Sequence, residues 1–300
     1  MVLVFGSANV DLVMPVLSLP RAGETVLTKQ YSAVPGGKGA NQALAAGRAG
    51  ADTIFSGMVG DDVYAGLALS LLQEEGIDLS ATGVSPHPTG CAVVFVDERG
   101  ENAIAVASGA NLDLRANQVS DELLRRSRLL LLQQEVSLRE NQCLASRAKE
   151  MGVPVIYNLA PATKVSLELL ATVDYLIVNE IEVAVVGGAV GSQDLGEVAH
   201  LLSLRHSLTV IITLGAKGVI AARGDQLIQI AAPVVNVVDT TGAGDTFCGY
   251  LAAQLARGKA SLEDSLEVAV QAATLACTRL GAQPGIPSGE EVFGEEKLNG

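Results

Sequence analysis

Asp239-Thr240-Thr241-Gly242-Ala243-Gly244-Asp245-Thr246-Phe247 brings together residues suited to handling a phosphoryl group. Small residues sit where a loop passes into a helix-like run, Phe247 to Ala256, and a carboxylate closes the loop. The first turn of a helix carries N–H groups without intrahelical partners and partial positive charge, so it can hold an anion. Gly242 and Gly244 would let a phosphate approach the backbone closely. A carboxylate there would repel a resting phosphate, but it suits a base that takes a proton from an attacking hydroxyl, which singles out Asp245. The same residues also fit an ordinary helix start with Asp245 as a first-turn acid. The preceding apolar run, Val234, Val235, Val237 and Val238, reads as a strand.

A second loop, Gly36-Gly37-Lys38-Gly39-Ala40-Asn41-Gln42-Ala43, opens another helix that runs to Gly47 or Gly50. Its glycines again suggest close backbone approach to a polar ligand, and Lys38 and Asn41 add a cation and an amide. A flexible lead into an Ala-rich core helix is the competing reading. Asn9 and Asp11 follow the first apolar run, Val2 to Phe5, and suit hydrogen bonds to vicinal hydroxyls at the end of a parallel strand. Asn179 and Glu182 end another strand; three positions apart at a helix start, they lie on one face and fit the pattern of a helix cap. There is no Gly-x-x-x-x-Gly-Lys-Ser/Thr loop, and no Gly-x-Gly-x-x-Gly follows the first strand. Any phosphate-binding role therefore falls on Gly242 to Gly244.

The formal charge of −13 argues against nucleic acid or an anionic membrane as partner. The four cysteines, Cys91, Cys143, Cys248 and Cys277, are scattered and read as buried thiols in a reducing compartment. The three histidines show no zinc-type spacing. The apolar N-terminus is short, lacks a basic flank and soon meets Asn9 and Asp11, so it reads as a core strand rather than a signal peptide. No apolar run approaches transmembrane length, and a cytoplasmic protein is expected.

These residues need a scaffold, and the chain supplies alternating strand-like and helix-like runs, the pattern of a mostly parallel sheet covered on both faces. Two regions break the rhythm, residues 12–35 and residues 91–107. In the second, Cys91 to Val96 and Asn102 to Ala107 flank a turn at Gly100. The apolar Val10, Val13, Met14, Val16 and Leu17 suggest an interface on the small sheet these regions would form. Helices are expected over Gly244–Ala256 and Ser261–Leu280, with an acidic surface tail after Pro287. No linker divides the chain, so residues 1–300 read as one domain carrying that sheet.

Taken together, these pieces resemble the ribokinase-like carbohydrate kinases, the PfkB family. The matching stretches are Gly6 to Asp11, the Gly36 to Ala43 loop, Thr89-Gly90, Gly109-Ala110-Asn111, Glu135, Asn179 to Glu182, Thr213-Leu214-Gly215, the Asp239 to Phe247 loop, and Thr278 to Pro284. The resemblance implies a ribokinase-like α/β fold with a β-sheet lid, two lids pairing into a homodimer. It implies ATP-dependent phosphorylation of D-ribose at the 5-hydroxyl, with Asp245 as base and the amides of Gly242, Ala243 and Gly244 as an anion hole. Asn9, Asp11, Gly37, Lys38, Asn41 and Glu135 would contact the sugar. Asn179, Thr213, Leu214, Gly215, Gly218 and Gly244 would meet ATP, and Glu182 would act on Mg²⁺ through water. Asp239, Thr241, Ala276, Arg279, Gly281 and Gly285 would surround a monovalent cation, with K⁺ as activator. Three departures from the family pattern stand out: Gly285 where Ser is frequent, Leu159 after Asn158 where proline is common, and a bulky Tyr250. Deoxyribose, fructose or a nucleoside remain alternative acceptors, and a non-catalytic sensor remains the alternative class; the scarcity of aromatic residues favours a bare sugar.

Overall fold

Val2–Phe5 is apolar at every position and inaccessible to solvent throughout. Such a strand belongs in the middle of a parallel sheet covered on both faces. In the computed structural model, which describes residues 1–161, 165–187 and 194–294, it pairs in parallel with Thr53–Ser56 on one side and Leu129–Gln133 on the other. The sheet continues in parallel through Val155–Asn158, Tyr175–Asn179 and Thr209–Thr213. It ends in the antiparallel strands Val219–Arg223 and Gln226–Ile230, making eight strands in all.

Alternation along the strands sorts the core into two layers. Val2, Val4, Leu129 and Leu131 face the helices Lys38–Arg48, Ala243–Arg257 and Leu262–Ala276. Leu3, Phe5, Leu130 and Leu132 face Leu138–Glu150 and Leu195–His206. The expected α/β architecture is the observed one.

The two regions that break the rhythm form a separate four-stranded sheet in the order Ser32–Gly36, Asn9–Pro15, Gly90–Val96, Asn102–Ala107. Gly90–Val96 and Asn102–Ala107 form the expected hairpin, with Gly100 at φ +79° in its turn. Asn9–Pro15 begins just after the strand Val2–Phe5, one in from the edge, so the small sheet hangs from the carboxyl end of the large one.

Four expectations change. The run Val234 to Val238 is not a strand; Val234 is fully exposed, and the segment pairs with no strand among the described residues. Its valines wall a cleft, and periodicity cannot tell such a wall from a sheet face. The last long helix stops at Ala276 rather than Leu280, because the chain turns through Gly281 at φ +82° into the short helix Ala282–Gly285. Val10 and Val16 are buried, and Val10 belongs to the chain's own core, so neither offers an interface, whereas Leu17 is 76% exposed. Of the four cysteines only Cys248 is buried; Cys91 and Cys277 are half-buried and Cys143 is exposed, because scattered thiols fall on helix and strand faces of either kind. Past Pro287 a short helix, Gly289–Phe293, carries the start of the acidic tail, in keeping with the expectation, and the rest of that tail lies outside the described residues. No helix among the described residues is long and apolar enough to cross a membrane.

Candidate active site

The carboxyl ends of the parallel strands gather the polar residues singled out above, which is where open α/β sheets hold ligands. Asn9, Glu135, Asn158, Asn179 and Thr213 all lie at or just beyond these ends. The two glycine-rich loops meet there.

The helix Lys38–Arg48 starts at Gly37, whose φ of +89° suits glycine; a Cβ at that position would lie 2.8 Å from the Asn9 amide nitrogen. The first amides of this helix are already satisfied within the chain. Lys38 N donates to Glu135 Oε2 at 3.0 Å, Gly39 N to Ser7 Oγ at 3.3 Å, and Ala40 N to Ser7 O at 2.8 Å. Ser7 Oγ also donates to Glu135 Oε2 at 2.6 Å. Glu135 is therefore a cap for this helix as well as a carboxylate at the site, and Ser7 is a structural partner that the sequence alone did not single out. A ligand would meet this loop through Lys38, Asn41 and the backbone of Gly36 and Gly37, not through the helix amides.

Asn9 is held by Asn111. Asn111 Nδ2 donates to Asn9 Oδ1 at 2.7 Å, and Asn111 Oδ1 accepts from the Ala8 amide at 3.0 Å. That leaves Asn9 Nδ2 as the group it can offer a ligand. Asp11 lies over Gly36, where a Cβ would fall 2.3 Å from Asp11 Oδ2. Burial, followed by the nearby charges of Glu135 and Asp245, pushes the Asp11 carboxyl up to about 6, with Lys38 opposing. Asp245, Glu135 and Glu182 in turn raise the Lys38 ammonium above its ordinary value against the effect of burial. Four carboxylates and one ammonium thus share one field.

Asp245 is buried in the first turn of Ala243–Arg257, whose N-cap Gly242 is left-handed at φ +77°. Gly244 faces open space. Thr246 N donates to Gly242 O at 2.8 Å, and the Ala243 amide makes only a long turn bond to Thr240 O at 3.3 Å. At this helix start, unlike the other, no side-chain hydrogen bond to the first amides is found among the described residues. Asn41 Nδ2 donates to Asp245 Oδ2, and Gln42 Nε2 to Asp245 Oδ1, each at 2.9 Å. Gly249 makes this meeting possible: a Cβ there would lie 2.4 Å from Ala45 Cβ and 2.5 Å from Gln42 O.

Beside this helix start lies an apolar cleft of about 390 Å³. Thr213, Gly215, Gly218, Val234, Val235, Val237, Ala243, Gly244, Phe247 and Thr274 are among the residues that line it. Leu214 packs on the sheet's opposite core layer and does not line the cleft. Asn179 Oδ1 accepts from the amides of Ile181 and Glu182 at 2.9 and 2.8 Å, and Asn179 N donates to Glu182 Oε2 at 2.9 Å. The pair therefore forms the reciprocal helix cap. Burial raises the Glu182 carboxyl against that bond and against Lys38, and Asp245 adds to the rise, which puts Glu182 within electrostatic reach of the site.

Asp239 ties two loops together. Its Oδ1 accepts from the Thr241 amide and hydroxyl at 2.9 and 2.7 Å, and its Oδ2 accepts from the Gly281 amide at 2.9 Å. Burial opposes ionisation of Asp239, but these bonds hold its carboxyl below the ordinary value. A Cβ at Gly285 would lie 3.4 Å from Ala276 O and 3.8 Å from Arg279 O, so these carbonyls converge.

An apolar cleft opening onto a helix N-terminus, with a buried carboxylate in that first turn and a cation opposite, is the arrangement of a phosphotransferase. The chain matches the family model for pfkB family carbohydrate kinases over residues 1–289. It is 37% identical to the ribokinase of Haemophilus influenzae, over 97% of this chain and 96% of the relative. Among solved structures it matches the ribokinase of Thermotoga maritima at a TM-score of 0.90 and 33% identity, over 97% of each chain. It also matches the Arabidopsis thaliana ribokinase complexed with ribose and ATP at a TM-score of 0.88 and 34% identity, over 97% of this chain and 96% of that one. The chain belongs to the pfkB family of carbohydrate kinases.

Proposed function

We propose that this chain transfers the γ-phosphoryl group of ATP to the 5-hydroxyl of D-ribose, giving ribose 5-phosphate and ADP. The observation that carries the reading is the Asp245 carboxylate, buried at a helix start and held by amides from the opposite glycine-rich loop. The relatives named ribokinase, one of them solved with ribose and ATP, supply the substrate class.

The reading assigns each group a task. Asn9 Nδ2 donates to a sugar hydroxyl and Asp11 accepts from its neighbour. Lys38, Asn41, Glu135 and the Gly37 backbone complete the sugar site. Asp245 takes the proton of the attacking hydroxyl. The helix-start amides of Gly242, Ala243 and Gly244 face the charge that develops on the transferred group. The nucleotide lies along Thr213, Gly215 and Gly218, with its base against the apolar cleft wall. Mg²⁺ bound with ATP supplies charge neutralisation. Glu182 and Asn179 fit its hydration shell, since Glu182 commits only Oε2 to its cap. The Asp239, Thr241, Ala276, Arg279, Gly281 and Gly285 loops hold a monovalent cation, and K⁺ fits a carbonyl-rich cage of this kind.

In this reading the chain is a single domain whose small sheet, with segments near residues 12–35 and 91–107, acts as a lid over the sugar. Ile104 and Val106, exposed on its outer strand, pair it with a second copy. The absence of paired cysteines among the described residues and the use of ATP support a cytoplasmic enzyme. ADP release from Mg-ATP in potassium buffer, with D-ribose and without sugar, tests the assignment. Strong ribose-dependent release is the expected result. No release above the blank would overturn the ribose assignment, and activity on 2-deoxyribose, fructose or a nucleoside alone would transfer it.

A further inference from the structure

Both oxygens of the Asp245 carboxylate are occupied, and the two donors are unlike in setting. Asn41, which donates to Oδ2, is the residue placed against the sugar. Gln42, which donates to Oδ1, is fully buried. The same Gln42 Nε2 also donates to Asn158 Oδ1 at 3.1 Å. Asn158 closes the strand Val155–Asn158, and its own Nδ2 donates to Ile177 O on the next strand at 3.4 Å. A chain of amides therefore runs from the base to the sheet.

Only one orientation of the Gln42 amide is workable. Turned over, its Oε1 would face a carboxylate oxygen and an amide oxygen together. As placed, Oε1 is buried without a hydrogen-bond partner. A buried unpaired acceptor is destabilising, so the two donated bonds must outweigh it. An apolar side chain would remove that cost but leave Asp245 Oδ1 and Asn158 Oδ1 without these donors. The bonds that offset the unpaired oxygen are thus the ones that fix Asp245.

We propose that Gln42 is a positioning residue for phosphoryl transfer. It locks Asp245 Oδ1 to the sheet through Asn158, so that Oδ2 alone turns to the acceptor hydroxyl when the sugar takes the place of Asn41. The hydroxyl proton then passes to Oδ2 while the hydroxyl oxygen bonds to the γ-phosphorus and the bond from that phosphorus to the ADP oxygen breaks. The inference rests on the reading of Asp245 as the base. Holding a reacting group within a narrow range of angles is a large part of catalysis, and a supporting shell of hydrogen bonds provides that hold.

The test measures ADP release from Mg-ATP and D-ribose by the full chain and three variants. Gln42→Met keeps the volume and loses both donors. Its kcat should fall about 10- to 100-fold, with the sugar and ATP KM values within about twofold of the parent. Gln42→Glu gives the second readout. The introduced carboxyl, buried beside Asp245, holds a proton and can donate only at lower pH. Its kcat relative to the parent should therefore rise as the pH is lowered, a dependence that a purely structural role would not produce. Asp245→Asn is the control. If Asp245→Asn is inactive while Gln42→Met turns over within about twofold of the parent, this inference alone is overturned. If Asp245→Asn keeps parental turnover, the reading of the base fails and takes this inference with it. Should Gln42→Met not fold, a Gln42→Glu to parent ratio that is flat with pH overturns the proposal.

Discussion

The side-chain amide of Asn41 donates to Asp245 Oδ2 at 2.9 Å, joining residues 204 apart in sequence. One loop thus reaches the carboxylate that closes the other. Asp245→Asn keeps the shape of this contact and removes the proton acceptor. Its kcat should fall on the order of 10²- to 10⁴-fold while both KM values move little. Steady-state kinetics decide the matter, and near-parental turnover would take the role away from Asp245.

Asp11 gives a pH signature. Burial and the neighbouring Glu135 and Asp245 raise its carboxyl from 3.8 to about 6, so the folded protein binds that proton more tightly than the unfolded chain. The resulting stabilisation is complete below pH 3.8 and is lost as the pH rises through about 6. Asp11→Asn has no proton to lose there. Its melting temperature should therefore gain on the parent's by a few degrees between roughly pH 4 and 6.5 and hold that gain above. The parent's sugar KM should rise below about pH 6, as the acceptor becomes protonated. A KM flat from pH 5 to 8 would contradict the contact.

Gly249 lets the two helices approach closely, and its contacts allow no side chain. Gly249→Val would drive carbon atoms into Ala45 Cβ and Gln42 O, 2.4 and 2.5 Å from the position of a Cβ. The expected loss is about 1–3 kcal/mol in denaturant melts, together with a fall in kcat as Asn41 and Gln42 draw away from Asp245. Parental stability would mean that the helices do not pack this closely.

Glu182 is predicted to have two roles, because its Oε2 caps the helix while it stays within reach of the charged site. Glu182→Gln should lower stability by about 0.5–1 kcal/mol through the weakened cap. It should also raise the Mg²⁺ concentration needed for half-maximal rate. Excess Mg²⁺ should restore part of the activity and none of the stability. A Mg²⁺ response identical to the parent's would leave only the cap.

Much of this was legible in the sequence, and for definable reasons. Val2–Phe5 and Leu129–Gln133 are apolar at nearly every position because both faces of the large sheet are covered, and Gly100 marks the hairpin of the small sheet because the turn needs a positive φ. The glycine-rich loops and Asp245 could be read because their local chemistry is unusual. The cleft wall Val234 to Val238 was misread because a surface that awaits a ligand is as apolar as one that awaits another strand. Ser7, Gln42 and Asn111 act through partners 128, 203 and 102 residues away. No local pattern carries such bonds; only the topology that brings strand ends together reveals them.

The same dependence on long-range contacts shapes the proposed cation site. Asp239 holds the Thr241 and Gly281 amides at once, and the Ala276 and Arg279 carbonyls converge beside Gly285. This scaffold abuts the helix start through Ala282, which lies against Gly242. A cation there would add positive charge where the transferred group becomes negative. The rate should therefore be higher in KCl than in tetramethylammonium chloride of equal ionic strength, and Asp239→Ala should abolish the difference. Gly285 has an ordinary backbone conformation, and a Cβ there meets nothing closer than 3.4 Å. Gly285→Ser should therefore be tolerated, and its hydroxyl would add an oxygen beside the two carbonyls. The K⁺ concentration for half-activation should fall severalfold in that variant. Equal rates in the two salts for the parent would show that the carbonyl cage carries no cation that matters to turnover.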